Sequence, residues 1–581
     1  MRRRLAQPRR RAAFAISFLG FLLTPLPPAL AQTAGQIAPP TLRPVERAAP
    51  DRIELPATPG PQAPAGAERL QLRFGQIQVE GTLPGMEGAT EALTAPLAGQ
   101  THPVSALFEA AQALEAAYAR AGFVLARIIL PAQTLTEGGP VRLLVINGRL
   151  ERLDTGALPP LVRRRAEAIL APLLDRPGLT LAEIERRLLL AGDIPGTTLR
   201  SALAPGATPG GSVLVVEARH QLVTGSIGVD NTLSEALGRT NLQIGLEVNS
   251  PTGAGEQAYL RLGGWPSLGE KGLFDDTPRN RLIGAGLVIP FGLDGLTLNL
   301  EAIQARTTPR RTPGFVETTS EFTRLSARLR YPLHRARQAT LNAEAAFDIQ
   351  QDQLDAIAPV AAPLAEDDLR ILRFATDGFV VLPAGVLSGR IGASFGLDAF
   401  GARDAVQGAA VPLSRQGVSP DFRKLDAALR YGLPLTPLLG VQVEGRAQTA
   451  FGQALPRSEQ VGLASPTGLS SFDSGLFQGD SGYVLRAELQ ALAPVEDPGL
   501  RLSAGIGPYL FAAFGAVTQH APTAAERATV RGTSYGVGVR FGLAPPASAT
   551  SLGLAIEWGR QDRSDTVRTE DRITFSLLFR F

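Results

Sequence analysis

The sequence predicts a transmembrane β-barrel of about sixteen antiparallel strands, preceded by two small α+β domains. Three features carry that expectation: an alternating strand at the carboxyl end, an export leader followed by no spanning helix, and a change of periodicity near residue 220.

Ile573, Phe575, Leu577, Phe579 and Phe581 fall on one face of the last strand. Arg572, Thr574, Ser576 and Arg580 fall on the other, with Leu578 the exception. Side chains alternate across a strand, so one flank suits lipid and the other water. A soluble edge strand could carry the same pattern. Outer-membrane barrels, however, typically end on an aromatic residue, which makes Phe579 and Phe581 the candidate assembly signal for the barrel assembly machinery.

Residues 1–31 read as a signal peptide. Six arginines between Arg2 and Arg11 precede a short apolar stretch, Ala12 to Leu23, and Ala29-Leu30-Ala31 supplies a small-x-small cleavage site. No later run offers enough clean apolar residues for a spanning helix. The most apolar one, Leu502 to Val517, is broken by Gly505, Gly507, Pro508 and Gly515. The leader carries six arginines and no acid, so its removal takes the formal charge from +3 to −3. That leaves no basic footprint for nucleic acid. The chain has no cysteine, which excludes a disulfide framework and a thiolate metal site.

Residues 32–68 hold eight prolines and read as an extended linker, with no plug helix expected there. Residues 69–150 and 151–220 then show two rounds of mixed periodicity. In the first, Ile77 and Val79 alternate, and a helix spans Val104 to Arg120 with Gly122 as its stop. Strands follow at Phe123 to Leu130 and Val141 to Ile146. In the second, a helix runs from Leu161 to Leu173 and another opens at the capping box Thr180-Leu181-Ala182-Glu183. Strands at Thr197 to Leu203 and Val213 to Ala218 complete it.

From residue 221 to 581 helical periodicity disappears. Leu296, Leu298 and Leu300 alternate with Thr297, Asn299 and Glu301; Leu325, Ala327 and Leu329 alternate with Arg324, Ser326 and Arg328; Tyr483, Leu485 and Ala487 alternate with Arg486 and Glu488. Roughly 20 to 24 residues per strand and turn gives about 15 to 18 strands.

The first module resembles the POTRA domain of two-partner secretion transporters (TpsB), the haemolysin-activator and filamentous-haemagglutinin secretion class. The matching run is Tyr118 to Phe123, then Leu130-Pro131-Ala132-Gln133, then Val141 to Gly148. Pro195-Gly196 and Pro209-Gly210-Gly211 match the second POTRA domain, and Val229-Asp230-Asn231 the entry to the barrel. The resemblance implies an outer-membrane barrel of a Gram-negative bacterium with both POTRA domains in the periplasm. It implies no enzyme activity and no cofactor. Its partners would be outer-membrane lipid and a secreted, TpsA-like, β-helical exoprotein. The exoprotein would be captured unfolded and exported without ATP. Capture by strand addition to a sheet edge would need no fixed sequence. Tyr118, Gly122, Phe123, Pro131 and Gln133 are the candidate substrate-binding residues of the first POTRA domain. Arg324, Arg328, Arg330, Arg486 and Glu488 are candidate lumen-lining residues, with charge pairing within the wall as the alternative role. An outer-membrane assembly factor of the same superfamily and a non-secreting barrel are the alternative functions.

One departure from the family pattern concerns its inward-folded loop, placed here near 461–482. Ser458-Glu459-Gln460 and Gly479-Asp480-Ser481-Gly482-Tyr483 match the flanks. The family's Val-Arg-Gly-Tyr tetrad reads Leu469-Ser470-Ser471-Phe472, and its wall aspartate position holds Ala513. Both members of one ion pair are therefore missing together, and the loop is expected to sit in the lumen on uncharged contacts around Phe472. Gly479-Asp480-Ser481-Gly482 also imitates a serine-nucleophile loop. A triad needs a positioned histidine and acid as well, and none of the four histidines has a supporting motif.

Overall fold

The computed structural model describes residues 33–38 and 62–581, apart from 268, 406–408, 492, 498–501, 525, 546–549 and 567–568. The expected leader and most of the linker lie outside the described residues.

The strands from Val223–Asp230 to Glu570–Arg580 form one closed antiparallel barrel. Ser481–Ala491 and Ala493–Asp497 pair with the same neighbour in continuous register and act as one strand, which makes sixteen. Closure is between the last strand and the first, with Leu577 opposite Val229 and Phe579 opposite Ile227. The main chains of Phe581 and Gly225 exchange two further bonds. Closing the sheet removes its edges, the only way a sheet can cross lipid with its backbone satisfied.

The alternation read from the sequence is the alternation of the wall. Leu325 and Leu329 face outward while Ser320, Phe322, Arg324, Ser326 and Arg328 are buried inside. Strand length varies around the barrel: Val223–Asp230 has 8 residues, Ala339–Ala358 has 20 and Ala362–Leu382 has 21. Along Ala339–Ala358 the outward positions run Leu341, Phe347 and Ile349, then turn polar at Gln351 and Gln353.

Each module packs helices on a three-stranded sheet. The first orders its strands Ile77–Glu80, Val141–Ile146, Arg127–Ile129; the second orders them Arg149–Asp154, Gly211–His220, Thr197–Pro205. Arg149 and Leu150 pair with Gly211 and Ser212, so the first module ends at Gly148, two residues before the expected boundary. Phe123 to Leu130 is mostly turn, with strand only at Arg127–Ile129. The reason is Gly122, at φ 99°, which reverses the chain after the helix Ser105–Arg120. The helix Glu87–Thr94 was not anticipated. The capping box is formed: Glu183 N–H donates to Thr180 Oγ1, and Thr180 N–H donates to the Glu183 carboxylate.

The expectation that 32–68 holds no helix in the pore is corrected for its first residues. Ala34–Ile37 forms a single turn inside the barrel, where Ala34 N–H donates to Ser320 Oγ and Ala34 packs on Ala305 and Phe322. Glycine at 35 suits that seat: a Cβ would stand 2.9 Å from an Asp352 carboxylate oxygen, which would have to shift to admit it.

Candidate functional site

The five candidate residues of the first module sit in its framework. Tyr118 is fully buried, and its hydroxyl accepts from Leu83 N–H at 3.3 Å. Phe123 packs on its ring. Gly122 offers its carbonyl to Leu181 N–H at 2.8 Å, and Leu125 enters the core of the second module. Residues 122–125 are thus the joint between modules. Gln133 uses both ends of its amide on the Arg142 main chain, donating at 2.8 Å and accepting at 2.9 Å. Pro131 is half-buried beside it. Tyr118 has no surface with which to meet a substrate, and the amide of Gln133 is already used. For both, the sequence-based role is corrected to a structural one.

Gln133 also closes one flank of the sheet. Along the same flank Glu115 accepts from Ile128 N–H at 3.2 Å. The outer edge of Ile77–Glu80 has no strand partner among the described residues.

All five candidate lumen residues point inward and are engaged. Arg324 pairs with Glu301 at 3.0 Å, Arg328 with Glu344, and Arg330 with Asp377 at 2.7 Å. Arg486 pairs with Glu488 at 2.8 Å and Glu557 at 2.6 Å, and its guanidinium lies 3.9 Å from the Phe511 ring centroid. Buried charges persist when partnered in this way. Their first role is to complete the wall.

The loop between the strands Leu439–Thr449 and Ser481–Ala491 folds into the lumen and has two distinct parts. Its root carries two buried carboxylates. Glu459 accepts two bonds from Arg373, at 3.0 and 2.6 Å, and pairs with Lys424 at 2.8 Å. Burial alone would raise the Glu459 carboxyl, but Arg373 and Lys424 outweigh it and hold it well below the usual carboxylate range. Asp480, wholly buried, accepts from Arg415, from Leu455 N–H at 3.0 Å and from His520 N–H at 2.6 Å. Arg415 also donates to Gln519 Oε1 at 2.8 Å, so this one contact ties three outer loops together.

The two-residue ladder of Val461–Gly462 with Gln478–Gly479 separates root from tip. In the tip, Leu469 and Phe472 pack with Leu463, Phe477, Val484 and Ala513. The Phe472 and Phe477 rings meet edge-on at 4.7 Å. Ser470 accepts from Arg486 at 2.6 Å and donates to Glu557; Ser471 meets Ser534 at 2.6 Å. The expectation of uncharged contacts needs correction: the tetrad has no charge of its own, yet Ser470 rests on a charged pair in the wall. Its neighbour Asp473 pairs with Arg572 at 2.5 Å. Below the tip lies a cavity of about 420 Å³, lined by Gln442, Glu444, Gln490, Tyr509, Thr574 and Ser576 and roofed by Ser465 to Phe472.

Sequence reasoning flagged Glu459 and Asp480 only as loop flanks, and missed Arg373, Arg415 and Ser534 entirely. The turn at 33–38 braces the root, with Gln36 bonded to Gln478. Ser481 does meet His520 at 3.3 Å, but Asp480 holds the main chain of His520 and not its ring. That arrangement fixes a loop and, among the described residues, leaves the imidazole without an orienting acid, unlike a triad.

A sequence profile described as haemolysin secretion/activation protein ShlB/FhaC/HecB matches residues 210–541, and one described as POTRA domain, ShlB-type, matches residues 72–148. The outer membrane transporter CdiB of Escherichia coli is 28% identical over 251 residues, which is 43% of this chain and 40% of that relative's length. Among solved structures, CdiB from Escherichia coli superposes with a TM-score of 0.69 at 20% identity, covering 92% of this chain and 94% of the other. CdiB from Acinetobacter baumannii superposes with a TM-score of 0.58 at 16% identity, covering 88% and 90%.

Proposed function

The chain belongs to the haemolysin secretion/activation (ShlB/FhaC/HecB) family, and from that premise we propose that it exports one unfolded partner protein across the outer membrane. The POTRA pair lies in the periplasm, and the barrel spans the outer membrane. The observation that carries the reading is the combination of a closed barrel, a cavity in its lumen and an inward-folded loop that roofs it.

Capture is by strand addition at the outer edge of Ile77–Glu80. Support comes from the opposite flank, where Glu115 and Gln133 already occupy the donors and acceptors a guest strand would need. Main-chain bonds give affinity with little sequence demand, which suits a chain that arrives unfolded. No ATP is available in the periplasm, so folding outside makes passage one-way. A β-helical exoprotein fits, because its coils can form one at a time as they emerge. The barrel assembly machinery reads the aromatic end at Phe579 and Phe581, both exposed to lipid.

Co-expression with a candidate secreted partner, followed by assay of the medium, tests the reading. Export should require the intact chain and fail when residues 69–220 are deleted. Export undiminished by that deletion would remove the POTRA pair from the mechanism.

A further inference from the structure

The charged side chains that line the lumen cavity are not presented to it equally. They are Arg430, Arg540, Glu444, Glu488 and Glu557. What the cavity takes from the inward loop, Ser465, Pro466, Thr467, Ser470, Phe472 and Ser474, is neutral. The Arg430 side chain is 54% exposed, while Glu444, its partner at 2.6 Å, is 12% exposed. Arg540 is 42% exposed and Glu488, its partner at 2.8 Å, only 4%. Glu557 is 7% exposed and is engaged by Arg486 and by the Tyr509 hydroxyl. A guest in the cavity therefore meets guanidinium first and carboxylate second.

Side-chain length is the cause. Where both partners spring from the same wall, the longer arginine stem carries its charged head past the carboxylate. Arg373 with Asp348 and Arg390 with Glu344 show the same order elsewhere in the lumen, the carboxylate being the more buried. In those pairs the arginine is largely buried as well. At the cavity it stands about half open.

Two further features fit Arg430 and Arg540 to receive a guest. Neither is indispensable to its carboxylate: Glu444 also accepts from Gln442 at 2.6 Å, and Glu488 from Arg486 at 2.8 Å. Arg540 is also held in place, its guanidinium 4.0 Å from the Tyr509 ring centroid and bonded to both Glu488 oxygens. An oriented planar fork with five donors matches a carboxylate in two-point contact. Between low-dielectric walls its charge is screened less than in open water. A basic side chain in the same place meets two like charges before any carboxylate.

We propose that Arg430 and Arg540 make the lumen cavity a carboxylate-accepting site. It favours anions over cations and, on the export reading above, acidic over basic stretches of the chain in transit. Arg430 and Arg540 set the preference; Glu444, Glu488 and Tyr509 position them.

The test uses the full-length protein and its double variant Arg430→Gln with Arg540→Gln, whose folding is checked by the unboiled gel band. In planar bilayers under a potassium chloride gradient, the parent should pass chloride over potassium by about twofold or more. The double variant should bring that ratio to about one or below. A cation-selective parent, or a ratio unchanged in the variant, overturns the proposal. If the parent gives no openings, calorimetry in detergent decides. Tetra-aspartate should then bind about tenfold more tightly than tetra-asparagine, and the variant should lose the difference; equal binding by the parent overturns the site. In cells, a run of arginines inserted into a candidate partner should lower its export about tenfold more than a run of aspartates, with the gap narrowed in the variant. Equal tolerance of both runs sinks the preference for acidic cargo. A parent that selects chloride yet exports no partner defeats the export reading alone and leaves the arginine site standing.

Discussion

The POTRA modules and the barrel solve opposite packing problems with the same few residue types. In the first module Leu114, Tyr118 and Leu143 are buried together and the charges face water. In the barrel Leu325, Leu329 and Ile573 face outward, and Arg328, Glu344 and Arg486 fill the interior. Apolar burial holds a module together, so damage there scales with lost contact area. The barrel interior is held by mutual satisfaction of charge, so damage depends on whether a partner is left alone.

The sharpest test of that contrast is Glu344, which serves Arg328, Arg330 and Arg390 at once. Glu344→Ala should destabilise the barrel by about 3–5 kcal/mol, because it strands buried cations. The temperature at which the folded band is lost on unboiled gels would show it; no change would break the comparison. In the module, Leu143→Ala should cost about 2–5 kcal/mol through a cavity. Its signature is faster local hydrogen exchange in residues 69–148 with the barrel band unaltered. Tyr118→Phe removes the acceptor of the buried Leu83 N–H and should cost about 1–3 kcal/mol. Exchange at Leu83 would report it. Gln133→Ala should cost about 1 kcal/mol and also expose the Arg142 main chain to a guest strand. A second peptide-binding mode in the variant would mark that edge as newly open.

The smallest effect concerns pH. Glu459 is held below its ordinary value, so its stabilisation is complete above that value, about 4.3, and is lost only as pH falls through the depressed one. Protease protection of the loop root should therefore be the same at pH 7 and pH 5. A loss of protection at pH 5 would show that Arg373 and Lys424 do not govern the clamp.

Much of the fold was legible because it is written in local periodicity. The two-residue alternation of 296–301 and 325–331, the helix Ser105–Arg120 and the capping box at Thr180 each depend on neighbours in sequence. What stayed hidden depends on distant partners. The turn at 33–38 is held by Ser320 and Phe322, nearly 300 residues away, and its own sequence has no helical stripe. Arg415 lies in an irregular loop and meets Asp480, 65 residues further along the chain, through the fold of the outer loops. The absence of the tetrad arginine was visible, but the wall cation that Ser470 meets, Arg486, looked like any other inward charge. Tyr118 and Gln133 stood out as a motif, and a motif alone cannot distinguish a binding surface from a joint.

The unequal strands have a last consequence. At about 3.3 Å per residue and a tilt near 40°, a strand of 20 residues climbs to roughly 50 Å, about twice the height of the apolar band. The outward positions of Ala339–Ala358 turn from Ile349 to Gln351 partway along, which marks where that hairpin leaves the bilayer. The side built on Val223–Asp230, with 8 residues, rises only about 20 Å on the same terms, short of the band's full height. The mouth is bevelled like a quill, with a tall rampart on one flank and a low sill on the other.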